Sequence, residues 1–423
     1  MKVLHISTED TRPGASRAAY RLSHGLQRVG IESSMLVQNK RSDDAMVHTV
    51  LKGGMGRIMM ESRKLLDKTR LTRYPQRLST PFSAQWIPNT RSLEYVQHLN
   101  PDIVSLHWVG DGFLQVESLP KLHRPFVWTL RDMWPFTGGC HYDQNCGKYT
   151  ESCGTCPQLG SQKSNDLSRA ILNRKKKSWQ SIDLTIVALS QWIGQCAASS
   201  AVFKDRRIEV IPNGLDTELY RPIDQRVARE VLRLPQDKHL LVFGAVGATS
   251  DPRKGFHLLQ AALQELSTSE WRDKLELVVF GASKANTTDD FGFKTHFLGK
   301  LNDDLPLVLA YSAADVLVAP SMQENLANTV LESIACGTPS VAFKIGGMPD
   351  LIDHEQNGYL VQPFEATDLA KGIVWVLENR DRHQRLSTNA RKKVEQEFTL
   401  DIQANRYKSL FEEILQTSKH ASA

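Results

Sequence analysis

"DVLVAPSMQENLANTVLE", residues 315–332, decides how the rest of the chain is read. It opens with an apolar run that has no polar alternation and breaks at Pro320. A polar segment follows, and from about residue 326 to about residue 336 the apolar spacing has the period of a helix. A strand with no polar face has to be covered on both sides. That condition is met in parallel sheets, whose crossover connections are helices.

The same alternation recurs on either side. Upstream, the strand candidates are "KVLHI" (2–6), "SMLVQ" (34–38), "DIVSLHW" (102–108), "FVWTL" (126–130) and "LTIVAL" (184–189). Between the first two, "GASRAAYRLSHGLQRVG" aligns Ala15, Ala18, Ala19, Leu22 and Leu26 on one helical face. After "IEVIPNGLD" (208–216) a second series runs through "HLLVFGAV", "LELVVFG", "THFLG", "DVLVAPS", "PSVAFK" and "GYLVQ". Two series flanking a Pro-Asn-Gly turn predict two Rossmann-like α/β domains, residues 1–205 and 206–398. The closing segment 399–423 is expected as a helix that packs back toward the first domain. Open parallel sheets bind ligands beyond the carboxyl ends of their strands. The residues to watch are therefore Gly14, His107, Arg131 and Asp132 in the first series, and Gly247, Arg253, Lys254 and the run from Glu324 in the second.

Composition bounds the class. The chain has 423 residues, 41% hydrophobic and 23% charged, as in a globular protein of two domains. No apolar run approaches the ~18 residues of a membrane span. Acidic Glu9 and Asp10 argue that "MKVLHISTED" is a first strand and not a leader, so a cytoplasmic protein is expected. The net charge of +5 is mild, and no nucleic-acid motif is present. The basic residues concentrate between Arg57 and Arg77, where Met59, Met60, Leu65, Leu66 and Leu71 are interleaved with them. That segment is read either as a solvated face or as a basic amphipathic helix on an anionic membrane, which would make the protein peripheral.

Glu324 and Glu332, eight apart, are expected about two turns apart on one helix, with Glu324 at its start. In that setting the pair resembles the E-x7-E motif of retaining glycosyltransferases of the GT-B fold, family four. "GAVGATSDPRKGFHLLQAAL" resembles the family's basic loop, with Lys254 before a glycine. "VIPNGLD" and "NGYLVQPFEATDLAKGI" resemble later segments. "PGASRAAYRLSHGLQRVGIESSMLV" and "WTLRDMWPFTGGCHY" are similar to the branch that builds colanic acid and other exopolysaccharides.

The resemblance covers essentially the whole chain. It implies a GT-B fold, two Rossmann-like domains whose parallel sheets face a cleft. It also implies a retaining transferase that moves a sugar from a UDP- or GDP-linked donor to a saccharide or lipid-linked oligosaccharide. Lys254 and Arg253 would neutralise the leaving diphosphate, aided by N–H groups of the Gly14 loop and by Gly247. Glu332 would bind the ribose, Glu324 with Asn325 and Leu326 the sugar, and Gly299 in "FLGKLNDD" would line the donor site. No metal would be required for catalysis. His107, near its strand end, is read either as an acceptor-side residue or as a satisfied buried histidine. Two departures stand out: Ala248 where the family usually has an arginine, and Arg131 where it has histidine before Asp132. A catalytically inactive GT-B partner subunit and a sugar-nucleotide epimerase are the competing classes.

Four of six cysteines, Cys140, Cys146, Cys153 and Cys156, fall within residues 138–158. Their spacing allows convergence on one structural zinc ion, with unliganded thiols as the alternative.

Overall fold

Strand β1 (Lys2–Glu9) is buried along its length except at its two ends, as a run without polar alternation requires. In the computed structural model, which describes residues 1–50, 53–244, 251–281 and 292–422, β1 sits inside a seven-stranded sheet. The other strands are β2 (Glu32–Asn39), β3 (Val47–His48), β4 (Ile103–Leu106), β5 (Phe126–Leu130), β6 (Leu184–Ala188) and β7 (Ile208–Val210), in the order β3-β2-β1-β4-β5-β6-β7. Every pairing is parallel. One apolar cluster gathers Trp128, Trp134, Trp179 and Phe203, and another gathers Val3, Leu22, Leu26, Tyr407 and Phe411. Tyr407 and Phe411 belong to the last helix, Leu400–Ser422, and the Tyr407 hydroxyl lies 2.8 Å from Thr129 Oγ1.

The chain divides into Met1–Pro212 with Gln403–Ala423, and Asn213–Ile402. The division falls later than the residue 206 and residue 399 expected above. The reason is β7, which pairs with β6 and so keeps residues 208–210 in the first sheet. The second unit holds β8 (His239–Gly244), β9 (Leu275–Phe280), β10 (Thr295–Gly299), β11 (Val316–Ala319), β12 (Ser340–Phe343) and β13 (Gly358–Val361). Their order is β10-β9-β8-β11-β12-β13, again all parallel.

Both sheets change winding direction once: between β1 and β4 in the first, between β8 and β11 in the second. At such a point neighbouring crossover loops diverge and leave a crevice beyond the carboxyl ends of the strands. One expectation needs correction here. The helix after β11 spans Asn328–Ala335, so Glu332 is helical and Glu324 is not. Glu324 lies in the connecting segment, whose backbone is held from elsewhere in the fold: Gly347 N–H donates to the Glu324 carbonyl at 3.2 Å. Among the described residues, no helix is long and apolar enough to cross a membrane.

Candidate functional site

In the second unit the site grows from two loops at the β8/β11 switch point. After β8, Asp251 caps a short turn, Pro252–Lys254, through its side chain and the N–H of Arg253. The chain then turns at Gly255, with φ 68°. A Cβ there would collide with the Pro320 carbonyl at the end of β11, so only glycine lets the two loops touch. The contact is reinforced where Met322 N–H donates to Arg253 O at 2.8 Å.

This closeness brings the charges together. Lys254 Nζ donates to Glu324 Oε2 at 2.6 Å, and Arg253 Nη1 stands 4.0 Å from the same oxygen. Arg253 is itself held by Asp251 at 2.9 Å and by the Gln323 carbonyl at 3.2 Å. Glu324 is buried, which disfavours its charge, but Lys254 and Arg253 outweigh burial and hold the carboxyl below its usual range. The Asn325 N–H lies 3.3 Å from Glu324 Oε1, and Asn325 and Leu326 are both buried beside it.

Glu332 is also buried and accepts from the Tyr311 hydroxyl at 3.1 Å, while burial and that carboxylate push the phenol far above its ordinary pKa. Asn213, from the Pro-Asn-Gly turn, donates to Asn328 at the head of the Glu332 helix at 2.9 Å. Gly299 ends β10 at φ 67°. Gly247 and Ala248 lie outside the described residues.

In the first unit, Gly14 caps the helix Ala15–Arg28 at φ 97°, with no side-chain cap and open space where a Cβ would stand. His107 follows β4 directly. Its Nδ1 lies 3.2 Å from Arg131 Nη2, and its Nε2 lies 2.8 Å from His5 Nδ1. Because guanidinium can only donate, the tautomers follow: His107 donates from Nε2, and His5 keeps its proton on Nε2, which has no partner among the described residues. Burial, reinforced by the Arg131 charge, lowers His5 to about 3 and His107 well below its ordinary value, so both rings are neutral. Burial also lowers Arg131, to about 10.

Asp132 does not meet this row. Its Oδ2 accepts from His141 Nδ1 at 2.6 Å and its Oδ1 from Trp134 N–H at 2.9 Å, and His141 Nε2 lies 2.9 Å from Ser83 Oγ. The sequence reading missed His5 and His141. His141 stands beside Cys140 in the cysteine-rich stretch, which was read for its thiols alone; His5, inside an apolar strand, gave no cue at all.

Cys140, Cys146, Cys153 and Cys156 line one cavity with Asp143 and Tyr149. All four are free thiols, and among the described residues no group of three His, Cys, Asp or Glu is set to hold a metal ion. Burial raises the pKa of Cys140 and Cys156, and takes Cys153 to about 11. Beside them Lys175 is fully buried, its Nζ 3.0 Å from the Thr137 carbonyl and 3.7 Å above the Trp134 ring, and burial lowers it to about 7.

Residues 13–219 match the model described as Glycosyltransferase Family 4, and residues 224–393 match Glycosyl transferases group 1. A D-inositol 3-phosphate glycosyltransferase of Geodermatophilus obscurus is 31% identical over 232 residues, 51% of this chain and 50% of that protein. The N-acetyl-alpha-D-glucosaminyl L-malate synthase of Bacillus anthracis is 29% identical over 29% of the chain and 32% of its own length. The chain thus spans half or less of these curated relatives. Among solved structures, sucrose-phosphate synthase of Thermosynechococcus elongatus superposes with a TM-score of 0.68 at 18% identity, over 99% of this chain and 100% of that one. HepE of Anabaena, in complex with UDP and glucose, gives 0.66 at 18% identity over 97% and 99%. Both likenesses establish the fold.

Proposed function

The chain carries a Glycosyltransferase Family 4 domain followed by a Glycosyl transferases group 1 domain on a GT-B fold, and from that premise we propose that it transfers a sugar from a nucleotide-sugar to a saccharide or lipid-linked oligosaccharide. The observation that carries the proposal is the Lys254–Glu324 ion pair at the second sheet's switch point, with Arg253 alongside. Transfer needs a cation where the diphosphate's charge grows and a carboxylate where the sugar's hydroxyls lie. An incoming diphosphate competes with Glu324 for the Lys254 ammonium. As it takes the ammonium, Glu324 Oε2 becomes an acceptor for a donor-sugar hydroxyl, with Asn325 and Leu326 alongside. Glu332, positioned by Tyr311, accepts from the ribose.

The proposed stereochemistry is retention. The acceptor oxygen attacks on the face from which the phosphate leaves, the departing phosphate takes the acceptor's proton, and no enzyme nucleophile forms a bond. Support for a UDP-linked donor comes from the fold shared with HepE, whose structure contains UDP and glucose. A place in cell-surface or exopolysaccharide synthesis rests on the likeness of "WTLRDMWPFTGGCHY" to that branch. Burial, reinforced by Arg131, keeps His107 neutral, and Arg131 directs its proton toward His5, a positioning role in place of a free imidazole.

For the cysteines we propose a structural zinc ion that draws the four thiols together. Their shared cavity and the buried Lys175, a cation suited to a tetrathiolate's negative charge, support it.

A donor screen tests the central proposal. One nucleotide-sugar is expected to raise the melting temperature of the wild-type protein and to be turned over with a saccharide acceptor, and Lys254→Ala is expected to do neither. Tight binding with no transfer to any acceptor would favour the inactive partner subunit. Conversion of the donor without acceptor would favour the epimerase.

A further inference from the structure

The helix Gly53–Lys68 is attached to the first unit by the wrong kind of side chain for an ordinary amphipathic helix. Arg63 does the fastening: its guanidinium donates to the carbonyls of Gly112 at 2.7 Å, Pro88 at 2.7 Å and Ile87 at 3.1 Å. Asp67, buried one turn on, accepts from the N–H groups of Ala84 and Trp86 at 3.3 Å each. With polar groups on the protein side, the apolar residues face out. Met55, Ile58, Leu65 and Leu66 are 71%, 63%, 70% and 49% exposed. At 100° per residue they fall within about 100° of arc, so they form one stripe and not a scatter.

What lies around the stripe identifies its occupant. Lys68, Arg70, Arg73 and Arg77 are exposed at its carboxyl end, and Glu61 is the exposed acidic residue of the helix. Arg70 also rests over the Trp86 ring at 4.2 Å, which leaves an aromatic body and a cation together at the edge of the patch. An exposed apolar stripe bordered by cations suits a bilayer interface, where the side chains enter the acyl boundary and the cations meet acidic headgroups. A protein partner of the same apolar character would not need the row of arginines.

We propose that residues 53–77 form the docking surface of this protein for an anionic lipid bilayer, with Met55, Ile58, Leu65 and Leu66 inserted and Lys68, Arg70, Arg73 and Arg77 on the headgroups. The proposal is independent of sugar transfer.

Vesicle flotation of the full chain tests it without turnover. The wild-type protein is expected to float with vesicles of phosphatidylcholine containing phosphatidylglycerol, and on the order of tenfold less with phosphatidylcholine alone. The double variant Ile58→Ser, Leu65→Ser and the double variant Arg73→Glu, Arg77→Glu are each expected to stay in the dense fraction with unchanged melting temperature. These side chains are exposed, so loss of flotation would report docking and not unfolding. The proposal is overturned if the wild-type protein fails to float, floats equally with both vesicles, or floats undiminished after the serine substitutions. Failure to float would leave the patch to a protein partner.

Discussion

Lys254 and Glu324 meet across the switch point of the second sheet: one follows β8, the other β11, and Nζ lies 2.6 Å from Oε2. On the proposed mechanism, the cation for the diphosphate and the carboxylate for the sugar are each other's partner until a donor arrives. Two residues that act as a unit lose activity non-additively. Lys254→Met and Glu324→Gln are each expected to lower kcat about 100- to 1000-fold, with the double variant close to the worse single. Melting in a double-mutant cycle should show a coupling of about 1–3 kcal/mol. Additive losses in both measurements would show that the residues work separately.

Gly255 makes that meeting possible. Its φ of 68° and the Pro320 carbonyl behind it leave no room for a Cβ. Gly255→Ala is expected to cost about 1–3 kcal/mol of stability through the disfavoured backbone and the displaced loop. Donor affinity should fall further than stability does, because Lys254 is its neighbour in the chain. Thermal melting and donor titration on the same sample check both. Unchanged donor affinity with lowered stability would separate the turn from the site.

Much of this was legible in the sequence, for identifiable reasons. Eleven strands of this fold were marked by apolar runs, since runs without polar alternation are hard to misread, while the short β3 and β7 were not. Lys254 and Glu324 were picked out near strand ends and by the family resemblance, which also marked Glu332, and the structure brings Lys254 and Glu324 into contact. The start of the Glu332 helix was not legible: Glu324 is drawn into a loop by the amide of Gly347, a tertiary contact that helical period cannot register. His5 and His107 stand 102 residues apart and join only because β1 and β4 are neighbours. Arg131 and Asp132 follow the same strand, yet Arg131 meets His107 while the Asp132 carboxylate meets His141. Adjacent residues past a strand end diverge, so the sequence does not say which partners each of them meets.

The neutral His5–His107 pair carries a pH signature. Their folded pKa values are depressed below the ordinary 6.5, His5 to about 3. Below pH ~6.5 the unfolded chain binds protons that the folded chain refuses, so stability is lost as pH falls, by at most about 1.4 kcal/mol per pH unit per histidine. Denaturant melts at pH 7.5, 6.0 and 5.0 are expected to show this decline, and His5→Gln should show a shallower one. If the variant and the wild type decline in parallel, His5 is not the buried neutral group described here.

The cysteine cavity makes the last prediction, and it turns on charge. Burial draws the pKa of Lys175 down to about 7 even with the Asp132 carboxylate acting on it, and four protonated thiols add no charge to offset that burial. Four thiolates on zinc carry a net charge of −2 and would supply that charge. The protein purified without chelator is therefore expected to hold about one zinc per chain, and removal should expose the thiols to a disulfide reagent and lower the melting temperature. Lys175→Met is expected to weaken zinc retention, since a thiolate cluster would lose its nearest buried cation. Substitution of a buried lysine can also disturb packing, so Lys175→Arg serves as the control that keeps the charge. Less than half an equivalent of zinc in the wild-type protein, with thiols equally reactive before and after chelation, would establish the cluster as packed, unliganded cysteines.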